Sequence, residues 1–315
     1  MNFKPLIGLI AAPFTPMHAN GDLNPSLIPA YYQFLKNNKV TGAFICGSTG
    51  EGVSLTLQEK MHIAEAWAEA TKDDADFKVM TLLGGTCIAD CKTLAKHAES
   101  IGLYAVSFTA PSYFKPGNAT VLAEICGEIA AEVPKMPFYY YHIPVLTGAN
   151  IPMIELLNAV AGSIPNFAGI KYTHEDFMDF LSCKNFNDGK YDMLWGRDEN
   201  MLSALVLGTK GAVGSTFNYL APLYTQMIEA FENNELKIAG ALQQKSIDFI
   251  RLLGKYGGIA TGKSYMKLVD FDFGGFRLPV KNMDASTFEL FNRDVEDLNF
   301  QVFKSINTLN ESLKA

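Results

Sequence analysis

Residues 167–196 contain the unit from which the fold of the chain can be read. The stretch opens with FAGIKY (Phe167–Tyr172), continues through helical spacing at Met178–Cys183, and reaches a second apolar run at Asp192–Gly196. Neither run alternates strictly between apolar and polar residues, which is typical of strands buried on both faces. Because strands that alternate with helices form parallel βαβ units, this stretch predicts two parallel strands joined by a helix.

The same alternation extends in both directions along the chain. Eight short apolar runs occur before residue 232, at Leu6–Ala11, Gly42–Cys46, Lys78–Gly84, Ala105–Thr109, Pro137–His142, Phe167–Tyr172, Asp192–Gly196 and Gly211–Ser215. Eight such units favour a closed (β/α)8 TIM barrel over an open sheet, so we predict a barrel catalytic domain over residues 1–232. Residues 233–315 have helical spacing and no clear strand, which predicts a C-terminal helical extension.

Local signals place several helices. Thr56 and Glu59 form the pattern of a capping box in front of a helix, and the segment Ala89–Ile101 is predicted to end at Gly102. No linker rich in Gly, Ser or Pro precedes the extension, so we expect it to dock tightly on the barrel. Further helical stretches are predicted at Ile154–Val160, Met178–Cys183, Met201–Leu207, Ile238–Leu253, Gly262–Val269 and Ser286–Leu313.

The composition narrows the possible function classes. The chain has 315 residues, of which 48% are hydrophobic, and this is ordinary globular usage rather than that of a disordered chain. Its 26 basic and 33 acidic residues give a net charge of −7, which argues against non-specific binding to nucleic acid or to an anionic membrane. The N-terminus lacks the pattern of a secretory signal, and five cysteines without a CxxC spacing are typical of a reducing compartment. We therefore expect a cytoplasmic protein.

Lys171 is the most informative single residue, because it lies inside the sixth apolar run, after Phe167, Ala168 and Ile170. In a (β/α)8 barrel the active site lies at the carboxyl ends of the strands. Burial there lowers the pKa of a lysine, and the neutral amine can attack a carbonyl group to form a Schiff base. The alternative is a structural lysine whose stem is buried and whose ammonium group reaches water. The spacing alone leaves both interpretations open.

Other strand ends carry candidate polar groups. The second run ends in GSTGE, in which Ser48, Thr49 and the loop backbone can bind an anion such as a carboxylate, although an ordinary turn has the same composition. Tyr141 can relay a proton if its hydroxyl points into the barrel, and otherwise it is a core aromatic. Asp198 and Glu199 follow the seventh run, where they can bind a polyol or simply favour the first turn of the next helix.

One sequence match points to a different function and is rejected. Gly257–Ser264 fits the nucleotide-binding pattern GxxxxGK[ST]. A working phosphate loop follows a buried strand and opens a helix, whereas the preceding Ile247–Leu253 is helical in pattern. The chain also has no HxH or HxxxH cluster, so we expect no catalytic metal site.

The order of these motifs resembles the family of pyruvate-dependent class I aldolases that contains N-acetylneuraminate lyase and dihydrodipicolinate synthase. The resemblance covers essentially the whole chain, from the GSTGE loop, through a tyrosine before an Ile-Pro pair and a strand lysine, to Phe276–Pro279 in the extension. It implies that Lys171 forms the Schiff base with pyruvate and that Tyr141 moves the proton. It also implies that Ser48 and Thr49 bind the pyruvate carboxylate, and that no metal or organic cofactor takes part.

The resemblance also bears on assembly. Tyr113, in the sequence APSYF, matches a tyrosine that the family inserts into the site of a neighbouring subunit. It therefore implies a homotetramer built from dimers. The other expected partners are small molecules, with neither nucleic acid nor membrane among them.

Within this family the sequence is similar to the sialic acid lyase branch. Dihydrodipicolinate synthases carry an arginine two residues after the proline of the tyrosine motif, and Leu146 stands at that position here. Arg197 and His174 match positions at which the branch varies. The residues that the resemblance implies for contact with the sugar portion are Thr173, Gly196, Asp198, Glu199 and Ser215.

Two rival interpretations remain. Another pyruvate aldolase of the same family, acting on a different sugar acid or keto acid, would share Lys171 and Tyr141. A non-catalytic barrel that serves in binding or regulation would be expected to lack one of these two residues, and both are present.

Overall fold

The structure is a computed structural model that describes residues 3–308. Its strands are β1 (Gly8–Ala11), β2 (Val40–Ile45), β3 (Lys78–Leu82), β4 (Ala105–Thr109), β5 (Phe138–His142), β6 (Phe167–Tyr172), β7 (Asp192–Trp195) and β8 (Gly211–Gly214). These strands form one closed barrel in chain order, and neighbouring strands are parallel, including β8 against β1. The predicted (β/α)8 barrel is confirmed, and the strand ends differ from the predicted runs by at most two residues.

Burial explains why the strands read as continuous apolar runs. All six residues of β6 are buried, because one face of the strand lines the barrel interior and the other packs against helices. The interior cluster includes Phe44, Met80, Tyr139, Tyr141 and Leu194, whereas their neighbours in sequence belong to the outer layer of the core. A polar side chain on an inward position of β6 is therefore enclosed by the barrel.

The helices of the described part surround the barrel or form the extension. They are α1 (Ile28–Asn37), α2 (Leu57–Thr71), α3 (Ile88–Ser100), α4 (Ala119–Ala130), α5 (Pro144–Thr147), α6 (Met153–Val160), α7 (Phe177–Asn185), α8 (Met201–Val206), α9 (Phe217–Glu232), α10 (Leu236–Lys255), α11 (Thr261–Lys267), α12 (Ala285–Asp297) and α13 (Phe300–Phe303). The predicted capping box is present, with Thr56 accepting from the backbone of Glu59 and Glu59 accepting from that of Thr56. Within residues 3–308, no helix is long and apolar enough to cross a membrane.

The single helix predicted over Ser286–Leu313 is wrong. Helix α12 ends at Asp297, Asn299 has a left-handed φ of 59°, and only the short α13 follows. Asparagine tolerates the left-handed conformation, and a left-handed residue ends a helix. The helix therefore stops here, although apolar residues continue at helical spacing beyond it. The end of the predicted segment, residues 309–313, lies outside the described residues.

The chain passes from the eighth strand–helix unit to the extension through a short connection. Helix α9 ends at Glu232 and α10 begins at Leu236, and the two helices pack against each other. The predicted division into a barrel over 1–232 and an extension over 233–315 places its boundary in this connection. That division stays a prediction.

Buried polar contacts fasten the extension to the barrel. Lys263 Nζ lies 2.8 Å from Glu51 Oε1, and the two side chains are 3% and 2% exposed. The same nitrogen donates to Gly275 O at 2.9 Å. The second carboxylate oxygen of Glu51 accepts from the backbone N–H of Arg277 at 2.9 Å, and the Arg277 guanidinium pairs with Glu59 on α2. Both oxygens of a buried carboxylate are thus satisfied by the extension.

These contacts also support the rejection of the nucleotide-binding match. The segment Gly257–Ser264 follows helix α10 rather than a strand. Its lysine, Lys263, is buried and forms an ion pair with Glu51. Its side chain therefore serves as a structural cation inside the protein.

We expect Lys263→Met to lower the free energy of unfolding by about 3–5 kcal/mol, because it leaves the Glu51 carboxylate buried without a counter-charge. Urea unfolding at neutral pH measures the loss. The uncharged double variant Glu51→Gln/Lys263→Met should regain part of it. The control is Lys255→Met, whose partner Asp294 lies at the surface and whose unfolding midpoint should stay near that of the parent. A Lys263→Met midpoint as high as that of the control would contradict the expectation.

Candidate active site

Lys171 points into the barrel at the carboxyl end of β6. Strand register places it beside Tyr141 on β5 and Leu194 on β7. The side chain is 4% exposed, and its Nζ lies 4.0 Å from the ring centre of Phe44 and 4.1 Å from that of Tyr141. Within residues 3–308, no carboxylate forms an ion pair with this nitrogen. The alternative of a lysine that reaches bulk water does not fit this burial.

The surroundings of Lys171 decide its charge. Burial lowers the pKa of its amine to about 7, and the negative charge of Asp198 offsets only part of that effect. A substantial fraction of the amine is therefore unprotonated at neutral pH, in contrast to an exposed lysine. An unprotonated amine in an enclosed site is a nucleophile for a carbonyl carbon.

Tyr141 forms one side of the same space. Its ring lies edge-on to Phe44, with ring centres 5.5 Å apart, and the residue is 4% exposed. Burial raises the pKa of its phenol, while the hydroxyls of Ser48 and Thr173 beside it act in the opposite direction. The hydroxyl therefore points into the barrel among other hydroxyl groups, which a purely apolar core position would not provide.

The loop after β2 has a fixed backbone. The backbone N–H of Gly52 donates to Gly47 O at 3.0 Å, and that of Glu51 donates to Ser48 O at 3.2 Å. Glu51 has a left-handed φ of 57°. A Cβ on Gly52 would lie 1.8 Å from the carbonyl oxygen of Cys46, so this tight turn requires glycine. The turn holds Ser48 and Thr49 over the end of the barrel.

Asp198 is a buried carboxylate across the cavity from this loop. Its Oδ2 accepts from the backbone N–H of Thr216 at 2.9 Å and from the Thr216 hydroxyl at 2.6 Å. Burial raises its pKa to about 6, although the two Thr216 donors lower it. A Cβ on Gly214 would lie 2.2 Å from Asp198 Oδ1, so the glycine makes room for the carboxylate. Asp198 is the first residue of a short 3-10 turn before α8. The same residue therefore begins this turn and contributes its carboxylate to the site.

Glu199 and Gly196 have different surroundings. Arg197 Nη2 lies 2.7 Å from Glu199 and 2.8 Å from Glu175, so Glu199 is held by a cation. A Cβ on Gly196 would lie 1.9 Å from Thr173 Oγ1. That Thr173 hydroxyl is buried beside the Tyr141 hydroxyl and makes no hydrogen bond of ordinary geometry within the described residues, so it can bind a ligand.

The structure brings most of the predicted site residues together around one cavity of about 240 Å³. Those that line it are Thr49, Tyr141, Lys171, Gly196, Asp198, Glu199 and Ser215. Ser48 lines a neighbouring cavity of about 300 Å³ that shares Tyr141. Tyr113 lies outside both and is 80% exposed. Thr173 takes part through its contact with Gly196 rather than as a lining residue.

Sequence reasoning missed several residues of this site. Thr216 binds Asp198 and lines the cavity, and Gly214 provides the space for the carboxylate. Their signal is the sequence GST at the end of the eighth strand, where hydroxyls meet the carboxyl end of a barrel. Ile250 and Leu253 on α10 also line the cavity, and no local pattern marks them.

Two histidines near the site lie behind the barrel wall. The His142 ring packs against Tyr172 and His174, with ring centres 5.0 and 5.6 Å away. Burial lowers the pKa of His142 to about 3, which makes it a neutral core residue. The expectation that neither a metal nor an organic cofactor takes part stays a prediction.

A buried amine with a pKa near 7 lies at the carboxyl end of a parallel barrel, and a phenol lies beside it. This arrangement is typical of an aldolase-type barrel enzyme that uses a lysine as its nucleophile. The comparisons with known proteins agree with this class. Residues 5–298 match the model of the dihydrodipicolinate synthetase family. The chain belongs to this family.

Individual relatives cover nearly the whole chain. It is 38% identical over 309 residues to the N-acetylneuraminate lyase of Homo sapiens, with 96% of each chain covered. It is 40% identical over 283 residues to the N-acetylneuraminate lyase of Danio rerio, covering 88% of this chain and 91% of that protein. The solved structure of the Proteus mirabilis N-acetylneuraminate lyase superposes with a TM-score of 0.91 at 37% identity, covering 94% of this chain and 100% of that one.

We expect Lys171→Met to stabilise the fold below pH 7 by an amount on the order of 3–5 kcal/mol. The folded-state pKa of about 7 lies below the ordinary 10.5, so the unfolded chain binds more protons between these two values. The stability of the parent therefore rises with pH across this range, and the advantage of the variant should shrink toward pH 10.5. Urea unfolding at pH 6, 8 and 10 follows it, with the exposed Lys281→Met as control. A pH-independent difference would contradict the lowered pKa.

Proposed function

We propose that this protein is an N-acetylneuraminate lyase, which cleaves N-acetylneuraminate reversibly to pyruvate and N-acetyl-D-mannosamine through a Schiff base on Lys171. The observation that carries the proposal is the buried Lys171 amine with its pKa near 7, in contact with Tyr141. The names of the relatives supply the substrate. The cavity beside the amine has hydroxyls and carboxylates but no free cation among its lining residues other than Lys171 itself, within the described part of the chain.

The reaction proceeds through an imine and an enamine. Lys171 Nζ attacks the C2 ketone of the open-chain sugar, and loss of water gives the protonated imine. The C3–C4 bond then breaks, its electron pair forms the enamine, and C4 becomes the aldehyde of N-acetylmannosamine. The proton of the C4 hydroxyl leaves through Tyr141 to the substrate carboxylate. The enamine takes up a proton at C3, and hydrolysis releases pyruvate and the free amine.

Each end of the substrate has a place in this arrangement. The pyruvate carboxylate binds to Ser48 and Thr49, whose loop is rigid and hydroxyl-rich. The high pKa of Tyr141 keeps the phenol protonated, so it can pass a proton on without holding a charge. The sugar portion contacts Thr173, Gly196, Asp198, Glu199 and Ser215, which offer neutral hydroxyls and carboxylates suited to a polyol.

The nature of position 146 argues for the sugar substrate over an amino-acid aldehyde. An aldehyde that carries its own carboxylate needs a cation, and arginine at this position would provide a bidentate partner. Leu146 has no charge and no donor, and its side chain is 61% exposed at the mouth of the cavity that neighbours the site.

Incubation with N-acetylneuraminate should release pyruvate, whereas condensation of pyruvate with aspartate semialdehyde should be negligible, because no cation at Leu146 holds the second carboxylate. A coupled assay for pyruvate measures both activities. Borohydride with pyruvate should add three carbons to Lys171, located by peptide mass mapping. Higher catalytic efficiency with another sugar acid or keto acid would show that the protein is the rival pyruvate aldolase of the same family. An adduct on a different lysine would overturn the assigned role of Lys171.

The variant Tyr141→Phe separates the two halves of this test. It should form the trapped pyruvate adduct but lose cleavage by roughly 10²–10⁴-fold, as is typical when a proton-transfer group is removed. Its control is Tyr140→Phe, whose ring is equally buried but belongs to the outer layer of the core. Near-parental turnover in Tyr141→Phe would assign Tyr141 to packing alone.

We also propose that four chains assemble and that Tyr113 enters a neighbouring site, in a cytoplasmic protein. Tyr113 and Phe114 are 80% and 85% exposed and pack edge-on to each other. Val145 and Leu146 are also exposed, and Leu146 lines the same cavity as Ser112, the neighbour of Tyr113 in the chain, so a second copy of this chain would cover an apolar surface.

All five cysteines are free thiols in the described part of the chain, which suits a reducing compartment.

Sedimentation at micromolar concentration should give roughly four times 34.6 kDa. Tyr113→Ala should weaken the assembly and lower turnover on the order of tenfold or more, because Tyr113 is a candidate catalytic residue of the neighbouring site. The control is Leu278→Ala, an equally exposed apolar residue on the extension, which should behave as the parent. A fully active monomer would refute the shared site.

A further inference from the structure

A line of buried polar groups runs from the extension to Asp198. Gln243 and Ser246 lie on α10, Tyr224 lies on α9, and Thr216 follows β8. Gln243 Nε2 lies 2.9 Å from Ser246 Oγ, and Thr216 Oγ1 lies 2.7 Å from the Tyr224 hydroxyl and 2.6 Å from Asp198 Oδ2. The Ser246 hydroxyl lies beside that of Tyr224 and lowers its pKa, although burial raises that pKa by more.

The directions of the hydrogen bonds in this line follow from its two ends. The orientation of the Gln243 amide is fixed, because its Oε1 accepts from the backbone N–H of Leu202 at 2.8 Å. Its nitrogen therefore donates to Ser246. At the other end an ionised Asp198 carboxylate only accepts, so the Thr216 hydroxyl donates its proton to it.

The Thr216 and Tyr224 hydroxyls have one arrangement that satisfies the Asp198 end. The proton of Thr216 is used on Asp198, so the Tyr224 hydroxyl donates to Thr216 Oγ1. Ser246 accepts from Gln243, so its own proton is left for the neighbouring Tyr224 oxygen, whose pKa it lowers. Each donation polarises the next, and all of them point toward the carboxylate. The backbone N–H of Thr216 adds a further donor to the same oxygen.

The line also divides the two oxygens of Asp198 between two tasks. Oδ2 receives the Thr216 donors, whereas Oδ1 has no hydrogen-bond partner within residues 3–308. Oδ1 occupies the space that the absent Cβ of Gly214 leaves, and Asp198 lines the cavity that contains Lys171. Oδ1 is therefore the oxygen left to accept from a substrate hydroxyl.

We infer that Tyr224 and Ser246 are positioning residues that keep Asp198 ionised and oriented, so that helix α10 of the extension controls binding of the polyol part of the substrate. The inference deepens the proposed function and rests on it for the identity of the polyol. Neither residue lines the cavity, so each acts through Thr216 rather than by touching the substrate.

Other groups also act on Asp198 and have to be kept constant. They come from several elements, and besides Tyr224 itself they are Lys171, Glu199, Tyr141 and Tyr219. Lys171 favours the ionised carboxylate and Glu199 opposes it. A variant of Tyr224 leaves all the other groups in place.

The test compares Tyr224→Phe and Ser246→Ala with the parent in three readouts. The first is the titration of Asp198 itself, by ¹³C NMR of aspartate-labelled protein, with its signal assigned by loss in Asp198→Asn. The second is KM and kcat for N-acetylneuraminate as a function of pH. The third is the borohydride-trapped pyruvate adduct.

We expect the Asp198 midpoint to move upward by about half a unit to one unit in Tyr224→Phe, because a lost donor makes the ionised form less favourable. The acidic limb of the pH profile should move in the same direction, since the ionised form accepts the substrate hydroxyl. KM should rise about three- to tenfold with little change in kcat, and the pyruvate adduct should form as in the parent. Ser246→Ala should shift each readout the same way, by less.

The matched control is Tyr265→Phe. Tyr265 is also a fully buried tyrosine, but its hydroxyl donates to Phe249 O at 3.0 Å and the carboxylate that acts on it is Asp294. It should lose a comparable amount of stability with no shift of Asp198. If Tyr224→Phe titrates and binds like Tyr265→Phe, the inference is overturned. If the parent does not cleave N-acetylneuraminate, the proposed function fails, and the NMR titration still decides the role of Tyr224.

Discussion

The buried ion pair between Lys263 and Glu51 is the interaction on which the arrangement of the site depends. Glu51 ends the loop that carries Ser48 and Thr49, and it adopts a left-handed backbone that is unusual for a residue with a side chain. Its two oxygens bind Lys263 and the backbone of Arg277, both in the extension. A buried charge with both oxygens satisfied has one favourable position, so the extension adds to the hydrogen bonds that already fix this loop.

Desolvation sets the chemistry of the cavity through two groups of opposite charge. The same enclosure lowers the pKa of Lys171 to about 7 and raises that of Asp198 to about 6. Each charge partly counteracts the shift of the other. The result is an amine that can react and a carboxylate that can accept, both close to their midpoints at the same pH. Neither value follows from the residue type, and both follow from closure of the barrel around them.

The sequence predicts the barrel and Lys171 because both leave local signals. A strand buried on both faces is written as an uninterrupted apolar run, and a lysine inside such a run is conspicuous. The partners of Asp198 leave no such signal, since Thr216 lies 18 residues away in the chain. Lys263 and Glu51 are separated by 212 residues, and only the folded chain brings them together. The helix break at Asn299 was missed for a related reason, because a single left-handed residue interrupts an apolar spacing that otherwise continues.

Two glycines contribute to the site by what they leave out. At Gly196 a methyl group would collide with the Thr173 hydroxyl, and at Gly214 it would collide with the Asp198 carboxylate. Replacement by alanine removes side-chain atoms from a larger residue, but at these two glycines it inserts a methyl group. Alanine scanning would therefore record a loss of activity at these two positions, although the substitution deletes no contact. The positions of the Thr173 hydroxyl and the Asp198 carboxylate are encoded by absent side chains as much as by those that are present.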